Sequence, residues 1–234
     1  MAGAAIKDKT VVVTGANRGL GLEWVKQLVS KGNKVIASCR NPSEAADLQK
    51  AGVAHVVKLD VSDPASIKAW AKELAGQVDH IDVVINNAGV YGSRISLETV
   101  TAEDMLFTYK ANTIGPLLVV QQLLKNKLIG KPATLVGNVT SKVGSVEDNG
   151  SGGSYAYRAS KSALNNVNKS MSIDLEDEGI TCVLLHPGYV RTDMTSGNGL
   201  IDVDQSVSGL LSVLESDLPL NGKWYDYKQE AIPW

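Results

Sequence analysis

Six short apolar runs alternate with longer amphipathic stretches along the chain, and this alternation restricts the fold more than any other feature. "TVVVTG" (10–15), "KVIASC" (34–39), "HVVKLD" (55–60), "DVVINNAG" (82–89), "ATLVGNV" (133–139) and "TCVLLHPG" (181–188) are strand candidates. Helical patterns occupy 20–30, 64–75, 102–128, 157–177 and 203–215. Strands without clean polar alternation, separated by helices, imply β–α–β units and a parallel sheet covered on both faces. The handedness of such crossovers favours a doubly wound sheet. "WYDY" (224–227) adds a last, edge strand, so the expectation is one α/β domain built on a mostly parallel seven-stranded sheet. "EDNGSGGS" (147–154) reads as a loop inside that domain rather than a boundary.

The first strand runs into "TGANRGLG", Thr14 to Gly21. Gly15, Gly19 and Gly21 stand where a tight turn passes close to a ligand and feeds a helix N-terminus, whose N–H groups and dipole favour a phosphate. Glycines also close turns that hold nothing. It is the strand before and the helix after that favour a dinucleotide. A site that prefers NAD places an acid at the end of the second strand to bond the ribose hydroxyl. Here the segment is "ASCRNP", with Arg40 following Cys39 and no acid before Glu44. Arg18 lies inside the turn itself. Guanidinium groups suit a 2′-phosphate, so the two arginines point to NADP(H).

Further on, "SYAYRASKSAL" (154–164) carries two tyrosines and a lysine. Residues four apart share a helix face, which pairs Tyr157 with Lys161 and turns Tyr155 away. A phenol titrates near 10, and an ammonium beside it favours the phenolate, so Tyr157 is the acid–base candidate, expected to be acidified by Lys161. Tyr155 reads as a residue at the helix start or on the pocket wall. Thr140 and Ser141 end the fifth strand at the sheet's carboxyl edge, where doubly wound folds bind ligands. Asn112 precedes Gly115 and Pro116 within an apolar helix, where an amide either satisfies backbone groups freed by the proline or holds a water.

Together, "TGANRGLG", "LDV" (59–61), "NNAG" (86–89), Asn112, Ser141, Tyr157 with Lys161, and "PGYVRTDM" (187–194) resemble the short-chain dehydrogenase/reductase family in its single-domain, Rossmann-fold form, over nearly the whole chain. The ending "GKWYDYKQEAIPW" is similar to the smaller group that holds C-factor-like proteins and sniffer-type carbonyl reductases. The resemblance implies a cofactor half of about 1–130 and a catalytic and substrate part of about 131–234. It implies that Gly15, Asn17, Arg18, Gly19, Leu20, Gly21 and Arg40 hold the NADP(H) phosphates, with Asp60 and Val61 against adenine. Asn87, Ala88 and Gly89 would line the channel, and Pro187, Gly188, Val190 and Thr192 would meet the nicotinamide end, with Lys161 on the ribose. The implied reaction is carbonyl reduction of aldehydes, ketones or quinones, with Ser141 on the carbonyl oxygen, Tyr157 as general acid and Asn112 holding a water that resupplies protons through Lys161. Tyr91, Val143 and Met194 would line the substrate pocket, with 194–200 as a mobile lid. Relatives pair through the helices placed at 102–128 and 157–177, which implies a homodimer or homotetramer. Two departures stand out: Thr140 replaces the commoner serine, and Ser141 precedes Tyr157 by 16 residues, a few more than usual. A non-catalytic NADP(H)-binding sensor of the C-factor type is the alternative, although a sensor has no need of Asn112, Ser141, Tyr157 and Lys161 together.

Composition narrows the partners. A net charge of −2 and a pI near 5.9 give little support for nucleic acid or an anionic membrane. The two cysteines and three histidines show no metal-ligand spacing, and the cysteines imply a reducing compartment. "MAGAAIKDKT" lacks the apolar core of a signal peptide, so a cytoplasmic protein with a small-molecule substrate is expected.

Overall fold

The computed structural model describes residues 5–92 and 96–234. Seven strands form one sheet: β1 (Thr10–Thr14), β2 (Lys34–Cys39), β3 (His55–Lys58), β4 (Val83–Asn86), β5 (Thr134–Val139), β6 (Ile180–His186) and β7 (Trp224–Asp226). Their order is β3-β2-β1-β4-β5-β6-β7, and every pairing is parallel. The helices are α1 (Gly19–Ser30), α2 (Ala46–Lys50), α3 (Pro64–Leu74), α4 (Ala102–Tyr109), α5 (Gly115–Lys125), α6 (Tyr155–Asp174) and α7 (Val203–Leu214). The strand order reverses between β1 and β4, which opens a crevice at their carboxyl ends. The doubly wound sheet expected from the alternating runs is therefore present, edge strand included.

Successive residues of β1 point to opposite faces, and the core divides accordingly. Val11 and Val13 join Trp24, Val25 and Leu28 of α1 and Val207 and Leu210 of α7. Val12 joins Ile67 and Trp70 of α3, Val119 and Leu123 of α5, and Met171 of α6. Trp24 and Trp70 are fully buried, one on each side. Truncating either to alanine costs about 3–5 kcal/mol. Local signals place the helix starts. Asp63 caps α3 through the Ala65 N–H with Pro64 next in line, and Thr101 with Asp104 forms a reciprocal box before α4.

The stretch 102–128 is not the single helix that its pattern implies. A π-turn, Lys110–Ile114, separates α4 from α5. Pro116 has no N–H to give the carbonyl of Asn112 four residues back, so the regular ladder cannot run through. The short α2 was not expected, and α6 begins two residues earlier than anticipated, at Tyr155. Among the described residues no helix is long and apolar enough to cross a membrane.

Candidate active site

The chain leaves β1 through Gly15, in the left-handed region at φ 64°. A β-carbon there would lie 2.8 Å from the Ala88 Cα, so glycine is what lets the turn rest against "NNAG". Thr14 Oγ1 accepts from the N–H groups of Asn87 and Ala88, both at 3.1 Å. The Asn87 side-chain amide donates back to the carbonyls of Thr14 and Gly15 at 3.1 and 3.2 Å. Two segments 70 residues apart are thereby stitched into one cradle. α1 starts at Gly19 with no side-chain cap and no acid in its first turn, so its leading N–H groups, those of Gly19, Leu20 and Gly21, are available to an anion.

Asn17 and Arg18 are exposed beside this helix end, and Arg40 is exposed past β2. Arg18 pairs with Asp193 at 3.3 Å, across to the segment after Thr192. Asp60 and Val61 follow β3. Partial burial pushes the Asp60 carboxyl up, but bonds from the Ser62 N–H and hydroxyl, at 2.9 and 2.7 Å, and the Arg40 charge hold it below its ordinary value. Uncapped amides with two guanidiniums on one rim are a donor set that fits a phosphorylated dinucleotide. Pro187 and Gly188 continue from β6, and buried Val190 bridges to Ile201, which holds the partly buried Thr192 3.6 Å from where a Gly19 β-carbon would stand.

Opposite the cradle, α6 presents Tyr157 and Lys161 on one face, the Lys161 Nζ lying 5.7 Å from the phenol ring centroid. Ser141 lies close enough to the Tyr157 phenol to favour its ionised form. The Nζ donates to the Val139 carbonyl at 2.9 Å, at the end of β5. Asn112 is fully buried, and its side chain clasps Val90: Oδ1 accepts the Val90 N–H and Nδ2 donates to the Val90 carbonyl, both at 2.8 Å. Nδ2 also donates to Ser160 Oγ at 3.0 Å. A β-carbon on Gly89 would lie 3.1 Å from Asn112 Oδ1 and 3.7 Å from Lys161 Nζ, so Asn112 and Lys161 meet at "NNAG", with Tyr157 beside Lys161. The Asn112 amide thus satisfies backbone groups, but those of Val90 rather than any that Pro116 frees in its own helix.

The expected acidification of Tyr157 is not found. Loss of hydration pushes the phenol up to about 12, against the opposing effect of Ser141. Burial likewise lowers Lys161 to about 8. Both shifts favour the neutral forms, because the site removes water from each group more than the pair compensates. A phenol that keeps its proton is the form a general acid needs.

Of the residues expected to line a pocket, Tyr91 stacks on Tyr157 with ring centroids 4.7 Å apart, and its hydroxyl shares a 2.7 Å bond with Ser154. Val143 is half-buried in the turn after Ser141, while Met194 is exposed on the segment after Thr192. Tyr155 is exposed at the start of α6 and enters neither set.

Sequence reading missed two supports. Ser160 links Asn112 to the Tyr157 carbonyl, to which its hydroxyl donates at 2.8 Å; its spacing of three from Tyr157 was the available signal. His186, expected as a packed strand-end residue, also accepts the Lys142 N–H at 3.2 Å, one residue past Ser141. Burial holds this imidazole at about 4, so it is neutral and able to accept. Nothing local in the sequence joins 186 to 142. Among the described residues no group of three or more His, Cys, Asp or Glu is placed to hold a metal ion.

A parallel sheet with a phosphate cradle and a Ser–Tyr–Lys–Asn constellation at its reversal point defines a nucleotide-dependent oxidoreductase. The family model for short chain dehydrogenases matches residues 9–199, and the chain belongs to that family. It is 43% identical over 155 residues to the C-signal of Myxococcus xanthus, covering 66% of this chain and 93% of that protein. The NADPH-bound carbonyl reductase from chicken fatty liver superposes with a TM-score of 0.87 at 34% identity, over 97% of this chain and all of the other. Carbonyl reductase Sniffer of Drosophila melanogaster gives 0.87 at 29% identity, with the same coverage. The expected likeness to the C-factor and sniffer group is borne out.

Proposed function

We propose that the protein reduces the carbonyl group of aldehydes, ketones or quinones to alcohols with NADPH, R₂C=O + NADPH + H⁺ → R₂CHOH + NADP⁺. The observation that carries this reading is Tyr157 and Lys161 on one face of α6, the Lys161 Nζ 5.7 Å from the phenol ring and beside Gly89 and Asn112. The cofactor, when bound, supplies the hydride. Ser141 donates to the carbonyl oxygen and stabilises the negative charge that grows there. Tyr157, holding its proton at neutral pH, gives it to that oxygen, a contribution worth about 10²–10⁴-fold. Lys161 keeps a positive charge beside the phenolate that results. Asn112 fixes the Val90 backbone and Ser160, and Pro116 leaves its carbonyl free to hold the water that returns a proton through Lys161.

Arg18 and Arg40 select NADP(H) over NAD(H), and titration with each cofactor checks that. Tyr91 and Val143, with Met194 across the mouth, form the substrate side, and the chain associates as a homodimer or homotetramer through α4, α5 and α6, where Leu106, Phe107 and Ile173 are exposed. NADPH consumption against a panel of aldehydes, ketones and quinones tests the activity. Tight NADPH binding with no turnover on any of them favours instead the sensor reading, to which the C-signal likeness lends its support.

A further inference from the structure

The 13 residues from Lys142 to Ser154 separate Ser141 from α6, and they include the extra length noted in the sequence. Gly144 and Ser145 are buried, but 146–152 are exposed. A β-carbon on Gly150, Gly152 or Gly153 would meet nothing within 4 Å, and Gly152, Gly153 and Ser154 follow one another in the left-handed region at φ 62°, 67° and 49°. Such a segment has many backbone alternatives unless side chains fix it. One guanidinium grips both of its ends. From the first turn of α6, adjacent to Tyr157, Arg158 donates through Nη1 to the Val143 carbonyl at 3.0 Å, through Nε to the Gly152 carbonyl at 3.2 Å and through Nη2 to Ser151 Oγ at 2.8 Å. A planar fork reaches three acceptors at fixed mutual angles, which the point charge of a lysine does not.

We propose that Arg158 is a positioning residue that sets the substrate range of the site. It holds the Val143 side of the pocket at a fixed distance from the Tyr157 helix. The inference rests on the reductase reading for its kinetic consequence, but the clamp itself can be measured without turnover. The Lys142–Asp148 ion pair at 3.3 Å and the bonds from the Ser145 hydroxyl and the Glu147 N–H to the Trp234 carbonyl tie the middle of the loop back, and His186 on the Lys142 N–H and Tyr91 on Ser154 hold its outermost residues, but none of these joins Val143 to Ser151 and Gly152 as Arg158 does. Removing Arg158 therefore uncouples Val143 from Ser151 and Gly152, at the pocket rim, and leaves the cofactor cradle alone.

The test uses the full chain with Arg158→Ala, Arg158→Lys and, as a milder change on an exposed side chain, Ser151→Ala. Hydrogen exchange is read over 143–153 with NADPH present. The expected result is at least about tenfold faster exchange in that loop for Arg158→Ala, with the strands unchanged, since a net hydrogen bond is worth about 1 kcal/mol and three are lost. Kinetically, kcat/KM for a bulky ketone falls about tenfold or more while a small aldehyde loses less than about threefold, because only the larger substrate needs the rim in place. Lysine does not restore the ratio, and Ser151→Ala moves it in the same direction but adds nothing in the Arg158→Ala background. Unchanged loop exchange overturns the clamp. Equal losses on both substrates, or full rescue by lysine, overturn its role in specificity. If the wild-type chain turns over no carbonyl compound, the reductase reading fails, and the exchange data still decide whether Arg158 orders the loop.

Discussion

Lys161 is 4% exposed, and burial lowers it from 10.5 to about 8. Each tenfold change in proton affinity is worth about 1.4 kcal/mol, so keeping this ammonium charged at neutral pH costs the fold about 3 kcal/mol. Lys161→Met retains the aliphatic stem and removes the charge. It also removes the 2.9 Å bond to the Val139 carbonyl, worth about 1 kcal/mol net. The variant is therefore expected to be about 2 kcal/mol more stable than wild type at pH 7, and to have lost catalysis by at least about a hundredfold. The pH dependence carries a sign of its own. Between about 8 and 10.5 the unfolded chain holds the lysine proton and the folded chain does not, so wild-type stability gains with rising pH across that window. The advantage of methionine is complete below pH 8, shrinks above it by about 1.4 kcal/mol per pH unit, and has become a small deficit by 10.5. Urea melts followed by tryptophan fluorescence at pH 7 and at several values up to 10.5 measure the difference. A methionine variant less stable than wild type at pH 7, or a gap that stays constant across the window, would refute the claim that burial of this charge is unfavourable.

Tyr157→Phe should leave NADPH binding intact while lowering kcat at least about a hundredfold, and wild-type turnover in that variant would remove the phenol from the chemistry. Arg40→Ala should weaken NADPH far more than NADH in parallel titrations; equal losses would mean that Arg40 does not meet the 2′-phosphate. His186 sits near 4 when folded against 6.5 unfolded, so the stability it contributes is present above 6.5 and lost as pH falls through 4. Its environment comprises Asp226 and Asp148, which raise it, and Lys142, which lowers it, all outweighed by burial. His186→Asn should flatten the acid limb of a urea-midpoint profile, and superimposable wild-type and variant limbs would exclude the imidazole as the cause. Leu106→Glu should reduce the mass of the assembly in light scattering if α4 lies in a subunit contact.

How much could be read from the chain alone follows from how local each feature is. Seven strands and most of the helices between them were legible because apolar runs and the 3.6-residue period are written in consecutive residues. The pairing of Tyr157 with Lys161 was legible for the same reason, since one helix turn fixes it. Glycines 15, 19 and 21 were legible as a turn between a strand and a helix N-terminus, the place where a phosphate would bind. The interruption at Lys110–Ile114 was half legible: Pro116 was visible, but the clasp of Asn112 on Val90 needs "NNAG" to arrive from 22 residues away.

What tertiary structure alone decided is the condition of the groups rather than their identity. The rise of Tyr157 to about 12 and the fall of Lys161 to about 8 depend on every atom that displaces water, and those atoms come from β5, α6 and the loop that carries Tyr91. The grip of Arg158 on both ends of its loop and of His186 on Lys142 likewise joins segments whose separation in sequence carries no period. Spacing along a helix is a property of neighbours, and the chain states it outright. Desolvation and long-range hydrogen bonds are properties of whatever the fold brings together, and they exist only once it has closed.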